Sequence, residues 1–313
     1  MARVLSIATV LGLLLASALA FAITERAKVT KSPLSSTQVT KVFSPKASDP
    51  TDRVAQIRFR VRIRQRITVW IEDAQGTNVR TLLDSRPEVS GARLDLQWDG
   101  FAADGLLQPD GTYRPVVKLE GSHLTTVLPN PIVLDTKAPH ISVPKPLHKV
   151  ISPDGDGHGD LFRVHYHVSE PAHGVLLVRV AGKQTQVEFT LRKPRFGELQ
   201  WNGKLKRKAL PPGAYLLSVA AQDTAGNRSK PYPFAVVDIR YVSLGQKRVV
   251  VKPGNRFAIR VSADAPTVQW KLRGRTGTAA PGTLHFRAPH SKGVFFLYVF
   301  VGDHAARCAV VVG

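Results

Sequence analysis

The chain is short of cysteine, of acidic residues and of long apolar runs, and each shortage excludes something. Among 313 residues the only cysteine is Cys308. A lone cysteine can make neither an internal disulfide nor a paired-cysteine metal site, so the fold must be held by packing. Its place in an apolar terminal segment marks it as a small core residue rather than a nucleophile. Only 23 Asp and Glu stand against 44 Lys and Arg, a net charge of +21. That excess has to face an anionic partner or solvent. No nucleophile elbow, phosphate loop or HExxH motif occurs, and the scattered histidines form no metal set, so a non-enzymatic protein is expected. Beyond the N-terminus no segment carries a sustained helical period or could span a bilayer.

What is present begins with a targeting segment. Arg3 precedes an uncharged stretch from Val4 to Thr24, and Glu25, Arg26 and Lys28 end it. The run is long enough to cross a bilayer as a helix. Ala18-Leu19-Ala20 and Ala20-Phe21-Ala22 also fit a small-x-small cleavage site. Residues 1–23 are therefore a cleaved signal peptide or an uncleaved anchor, and the length of the run favours the anchor. Either way the leading basic residue places the remainder outside the membrane, extracytoplasmic, anchored or secreted, where nucleic acid is not the expected partner. Residues 24–41 are polar and read as a stalk.

After the stalk the chain repeats itself. Leu96-Gln97-Trp98-Asp99-Gly100 is echoed by Leu199-Gln200-Trp201-Asn202-Gly203. Pro109-Asp110-Gly111-Thr112-Tyr113 is echoed by Pro211-Pro212-Gly213-Ala214-Tyr215, and Phe43-Ser44-Pro45 by Ile151-Ser152-Pro153. Marks in the same order at nearly the same offset indicate a duplicated unit of about a hundred residues. Within it, Ile57, Phe59, Val61 and Ile63 alternate with arginines, and Phe162 to Val168 alternates in the same way, the period of half-buried strands. Short strands separated by Gly and Asp turns predict an all-β fold of tandem Ig-like antiparallel β-sandwiches after the N-terminal apolar helix. The expected domains are 42–135 and 149–238, joined by a stiff Pro-rich connector, then a small β domain at 244–313. That last domain lacks both marks and is expected to be unrelated or strongly diverged.

Phe43-Ser44-Pro45, the Asp73–Gly76 turn, Val79-Arg80-Thr81-Leu82, Trp98-Asp99-Gly100 and Pro109–Tyr113 together resemble the immunoglobulin-like domain of the flagellar hook-capping protein family. The second unit, opening Ser152-Pro153-Asp154-Gly155-Asp156-Gly157, looks like the same module. The resemblance implies an Ig-like fold reused in bacterial secreted and surface proteins. It implies no flagellar role, because function lives in sites grafted on such folds.

Two places depart from the common pattern. Asp154, Asp156, His158 and Asp160 lie on a glycine-rich loop whose carboxylates could supply several oxygens to Ca²⁺, with His158 contributing through its backbone. The loop lacks the full twelve-residue calcium pattern, and the alternative is a turn in which the aspartates accept from backbone N–H groups. Arg58, Arg60, Arg62 and Arg64 form a ladder on one strand face that could contact an anionic cell-wall polymer or lipid headgroups. The alternative is a solvated face whose charge protects an edge strand from aggregation. The function expected is a cell-surface structural or binding protein, or else an accessory wall-polymer- or carbohydrate-binding protein that supports an exported enzyme.

Overall fold

The computed structural model describes residues 12–21, 32–144 and 147–313. Residues 12–21 form a helix; most of the expected membrane segment and the first part of the expected stalk lie outside the described residues. Among the described residues no helix is long and apolar enough to cross a membrane.

The chain divides into two compact units, residues 1–136 and 137–313. The first holds one sandwich, built from β1 (Leu34–Val39), β2 (Val42–Phe43), β3 (Ala55–Val61), β4 (Gln65–Glu72), β5 (Asn78–Glu88), β6 (Arg93–Trp98), β7 (Gly111–Leu119), β8 (Leu124–Val127) and β9 (Ile132–Leu134). One sheet runs β1-β3-β6 and the other β2-β9-β7-β4-β5. Alternation along β3 buries Ala55, Ile57, Phe59 and Val61 and turns Arg58 and Arg60 outward, as a two-residue period requires. The stalk reading of 24–41 needs correction at its end: Leu34–Val39 is a strand paired with β3, and Leu34 is in the core.

The second unit opens with β10 (Ile141–Ser142) and β11 (Leu147–Ile151), so the expected connector already contributes strands. There follow β12 (Phe162–Val168), β13 (His173–Val180), β14 (Lys183–Phe189), β15 (Phe196–Trp201), the short hairpin β16 (Lys204–Leu205) and β17 (Lys208–Ala209), β18 (Gly213–Gln222) and β19 (Tyr232–Ile239). Sheets β10-β12-β15 and β11-β19-β18-β13-β14 repeat the order of the first sandwich. The last strands are β20 (Ser243–Leu244), β21 (Arg248–Val251), β22 (Arg256–Ser262), β23 (Val268–Leu272), β24 (Arg275–Ala279), β25 (Gly282–Arg287), β26 (Gly293–Val301) and β27 (His304–Val312). Their sheets, β20-β22-β25 and β21-β27-β26-β23-β24, give the same order a third time. In each sandwich a short early strand pairs parallel with the last one, β2 with β9, β11 with β19 and β21 with β27. All other pairings are antiparallel among the described strands. Three strands facing a sheet that ends in this parallel pair is an Ig-like arrangement.

The repeated residues are the ones that close the first two sandwiches. Trp98 is buried and its Nε1 donates to the Phe101 carbonyl at 3.0 Å; Trp201 Nε1 donates to the Lys204 carbonyl at 3.0 Å. Tyr113 donates its hydroxyl to the Pro109 carbonyl at 2.7 Å, and Tyr215 to the Pro211 carbonyl at 2.9 Å. Both indoles and the Tyr113 phenol thus bury their rings, Tyr215 is half-buried, and each polar tip finds a backbone acceptor. Gly100 and Gly203 have φ of +85° and +67°. A methyl group on Gly100 would stand 2.7 Å from Pro45 Cγ, and one on Gly203 would stand 2.5 Å from Pro153 Cγ. The two marks therefore touch: the proline of Ser-Pro sits on the glycine of Trp-Asx-Gly. The third sandwich lacks the marks, and its core instead holds an aromatic cluster in which the Phe286 ring centre lies 5.6 Å from that of Phe257 and 5.3 Å from that of Trp270.

This seating yields a paired prediction. Gly182, at φ +78°, has open space where a Cβ would go. Gly182→Ala should cost about 1 kcal/mol from backbone strain alone. Gly203→Ala should cost about 2–4 kcal/mol, because overpacking against Pro153 adds to that strain. Equal losses in denaturant unfolding would show that the proline contact contributes nothing.

Candidate functional site

The arginine ladder is shorter than its spacing suggested. β3 ends at Val61, the chain bends through Arg62 and Ile63, and Ile63 is exposed. Arg62 and Arg64 therefore leave the row that Arg58 and Arg60 begin. Arg58 donates to Asp95 at 2.8 Å across to β6. β3 also lies between β1 and β6, which corrects the edge-strand alternative. Arg60 is paired in register with Arg93. These two, with Arg58, Ser36 and Gln38, line a shallow cleft of about 220 Å³. Arg93 was not singled out in the sequence because it lies on another strand, 33 residues on.

The acidic loop follows Pro153. Asp154, Asp156 and Asp160 each place a carboxylate oxygen within 4.8 Å of the others. Loop donors hold them there. Ser152 Oγ donates to Asp154 Oδ2 at 3.0 Å, and the amides of Gly155 and Gly157 donate to the two oxygens of Asp160 at 2.8 Å each. The His158 amide donates to Asp156 Oδ1 at 2.7 Å, and its ring stands outside the trio, 3.7 Å from that same oxygen. The remaining oxygen, Asp156 Oδ2, is buried and meets no donor. The loop is thus a turn closed by its own aspartates that also gathers three carboxylates, with one acceptor left over.

The third sandwich packs onto this loop. The Asp303 amide donates to the Asp154 carbonyl at 2.8 Å. Gly302, at φ +51°, comes so close that a Cβ would overlap the same carbonyl. Tyr241 stacks on His304 with ring centres 3.7 Å apart. Asp264 brings a fourth carboxylate, its Oδ2 lying where a side chain on Gly159 would have to stand. Burial raises the Asp154 carboxyl above its ordinary value, and the charges of Asp156 and Asp264 add to this. Burial raises Asp264 as well, with Asp156 and Asp160 acting in the same direction. Among the described residues no lysine or arginine forms an ion pair with any of the four. Asp264 is far away in the sequence, and nothing local to it signalled this neighbourhood.

A third feature escaped the sequence entirely. Arg256, Arg275, Arg287 and His285 surround a cleft of about 360 Å³ in the third sandwich, together with Trp270, Leu272 and Phe286.

No protein-family model matches the chain, and no curated protein matches it. The fibronectin(III)-like modules of Clostridium thermocellum CbhA are similar to it, at 13% identity over 66% of this chain and 94% of theirs, with a TM-score of 0.35. The three N-terminal domains of the bacteriophage RB49 highly immunogenic outer capsid protein are 12% identical over 89% of this chain and 100% of theirs, with a TM-score of 0.25. The four N-terminal Ig domains of Dscam1 isoform 4.4 are 13% identical over 88% and 72%, with a TM-score of 0.20. At such scores these likenesses carry no argument. The Ig-like assignment rests on strand order.

Proposed function

We propose that this chain is a non-enzymatic structural and binding protein that presents Ig-like sandwiches outside the membrane, held there by its N-terminal apolar segment. The observation that supports this most is that one strand order occurs three times, with the repeated Trp, Gly, Pro and Tyr residues engaged in closing the sandwiches rather than in a reaction centre. The kinship of the first two sandwiches with the hook-capping Ig-like domain belongs to the same reading. So does contact with an anionic wall polymer or lipid headgroups, favoured by the net charge of +21. Fractionation of cells carrying a tag at Gly313 tests the location. Tag in the membrane or wall fraction, and open to external protease in intact cells or spheroplasts, is the expected result; a cytoplasmic tag would overturn the reading.

The acidic loop takes a divalent cation in this reading, with calcium the fitting ion because carboxylate oxygens are its preferred ligands. The buried Asp156 Oδ2 without a donor favours this, since an orphaned acceptor among carboxylates is satisfied by a cation. Asp154, Asp156 and Asp160 would hold the ion and so stiffen the joint to the third sandwich. An ion bound only by the folded state raises stability by mass action. Melting of residues 137–313 within the whole chain should rise by several degrees in calcium over EGTA, and Asp156→Ala should abolish the difference. Equal melting in calcium and EGTA would remove calcium from the account.

A further inference from the structure

The cleft in the third sandwich combines features that are costly to place together without a ligand. Arg256 on β22 and Arg287 on β25 are direct register partners, so two like charges face each other across neighbouring strands. Opposite charges across such a pair stabilise a sheet and like charges destabilise it. Arg275, at the β23–β24 hairpin, and His285 add to the same rim. No carboxylate offsets them: residues 241–313 contain only Asp264 and Asp303 as acidic residues, and neither lines the cleft. Among the described residues none of the three arginines forms an ion pair.

The interior of the cleft is aromatic. Trp270 and Phe286 meet edge to face at 5.3 Å. Gly277 keeps room for the indole: a Cβ there would lie 2.6 Å from Trp270 Cζ2. Trp270 also differs from the other tryptophans. Trp70, Trp98 and Trp201 each donate the indole N–H to a protein oxygen, whereas Trp270 donates to none among the described residues. The volume, about 360 Å³, falls in the range of small-ligand pockets, about 300–1,000 Å³. A flat body can lie on the indole, and an oxyanion can engage the guanidinium forks, which match carboxylate and phosphate geometry.

We propose that this cleft binds an anionic sugar unit of a polysaccharide, its ring stacked on Trp270 and its carboxylate or phosphate held by Arg256 and Arg287. The proposal rests on the extracytoplasmic binding reading for the choice of a glycan over a nucleic acid, and it moves the point of contact from the first sandwich to the third. A carboxylate and a phosphate present the same chemistry to the arginines, and separate probes distinguish them.

The test is titration of the full chain with an oligogalacturonate, a glycerol-phosphate polymer bearing sugar substituents, a neutral cello-oligosaccharide and a single-stranded DNA oligomer, read by calorimetry and tryptophan fluorescence. At least one of the two anionic glycans should bind, and the neutral one should not. The double variant Arg256→Gln/Arg287→Gln should weaken binding tenfold or more at an unchanged or raised melting temperature. Trp270→Phe should remove the fluorescence response, and Arg58→Gln/Arg60→Gln should change nothing. Failure of both anionic glycans to bind, wild-type affinity in the Arg256/Arg287 variant, or preference for the DNA oligomer would overturn the proposal. Those outcomes leave the location reading standing, whereas a cytoplasmic tag with intact glycan binding would overturn the location alone.

Discussion

The seating of a proline ring on a glycine is the contact on which the first two sandwiches and the joint beyond them depend. Trp98 and Trp201 end the strands β6 and β15, and each turns its chain through an Asx-Gly step that only a positive φ allows. Pro45 and Pro153 occupy the space that a side chain on those glycines would fill. This brings the opening of each of these two sandwiches onto the end of its sixth strand, β6 or β15, and shuts the core beside the indole. Ser44 and Ser152, next to the prolines, are buried polar residues, and each has a local hydrogen-bond partner. The closure therefore uses short-range bonds to satisfy what the long-range packing buries.

In the second copy the same closure has a consequence beyond its own sandwich. Asp154 follows Pro153 directly, so fixing the proline fixes the start of the acidic loop. The loop in turn presents the Asp154 carbonyl to the Asp303 amide and its carboxylates to Asp264. Four carboxylates converge where the chain as a whole has an excess of 21 positive charges. Burial raises the Asp154 and Asp264 carboxyls and the neighbouring carboxylates add to it, the kind of cost that proteins carry where a cation is held. The first copy, with Pro45 followed by Lys46 and Ala47, keeps the closure without this extension.

Much of the fold was legible because its signals are local. Alternation in β3 and β12, the Asx-Gly turns and the recurring Trp and Tyr all act within a few residues, and they gave the sandwich class and the duplication. The third sandwich was harder. Its core aromatic triad of Phe257, Trp270 and Phe286 comes from three strands, so no short motif announces that it has the same strand order. The strand-like sequence at 34–39 lay in a polar segment, and its role became plain only when it paired with β3. The arginine ladder was read too long because alternation continues through Ile63 while the backbone bends after Val61. The acidic trio was legible as a cluster, but Asp264, Asp303 and the cleft between Arg256, Arg275 and Arg287 are assembled by the fold alone.

The second and third sandwiches are joined through the acidic loop, where Asp303 and Gly302 meet the Asp154 carbonyl. That joint is open to direct measurement by native-state hydrogen exchange at the Asp303 amide. If the loop joins the two sandwiches as described, this amide exchanges as slowly as the strand-core amides of β18 and β26, through unfolding of residues 137–313 together. Exchange at the rate of an exposed turn amide would contradict it, and would mean that the two sandwiches open at the loop independently of their cores.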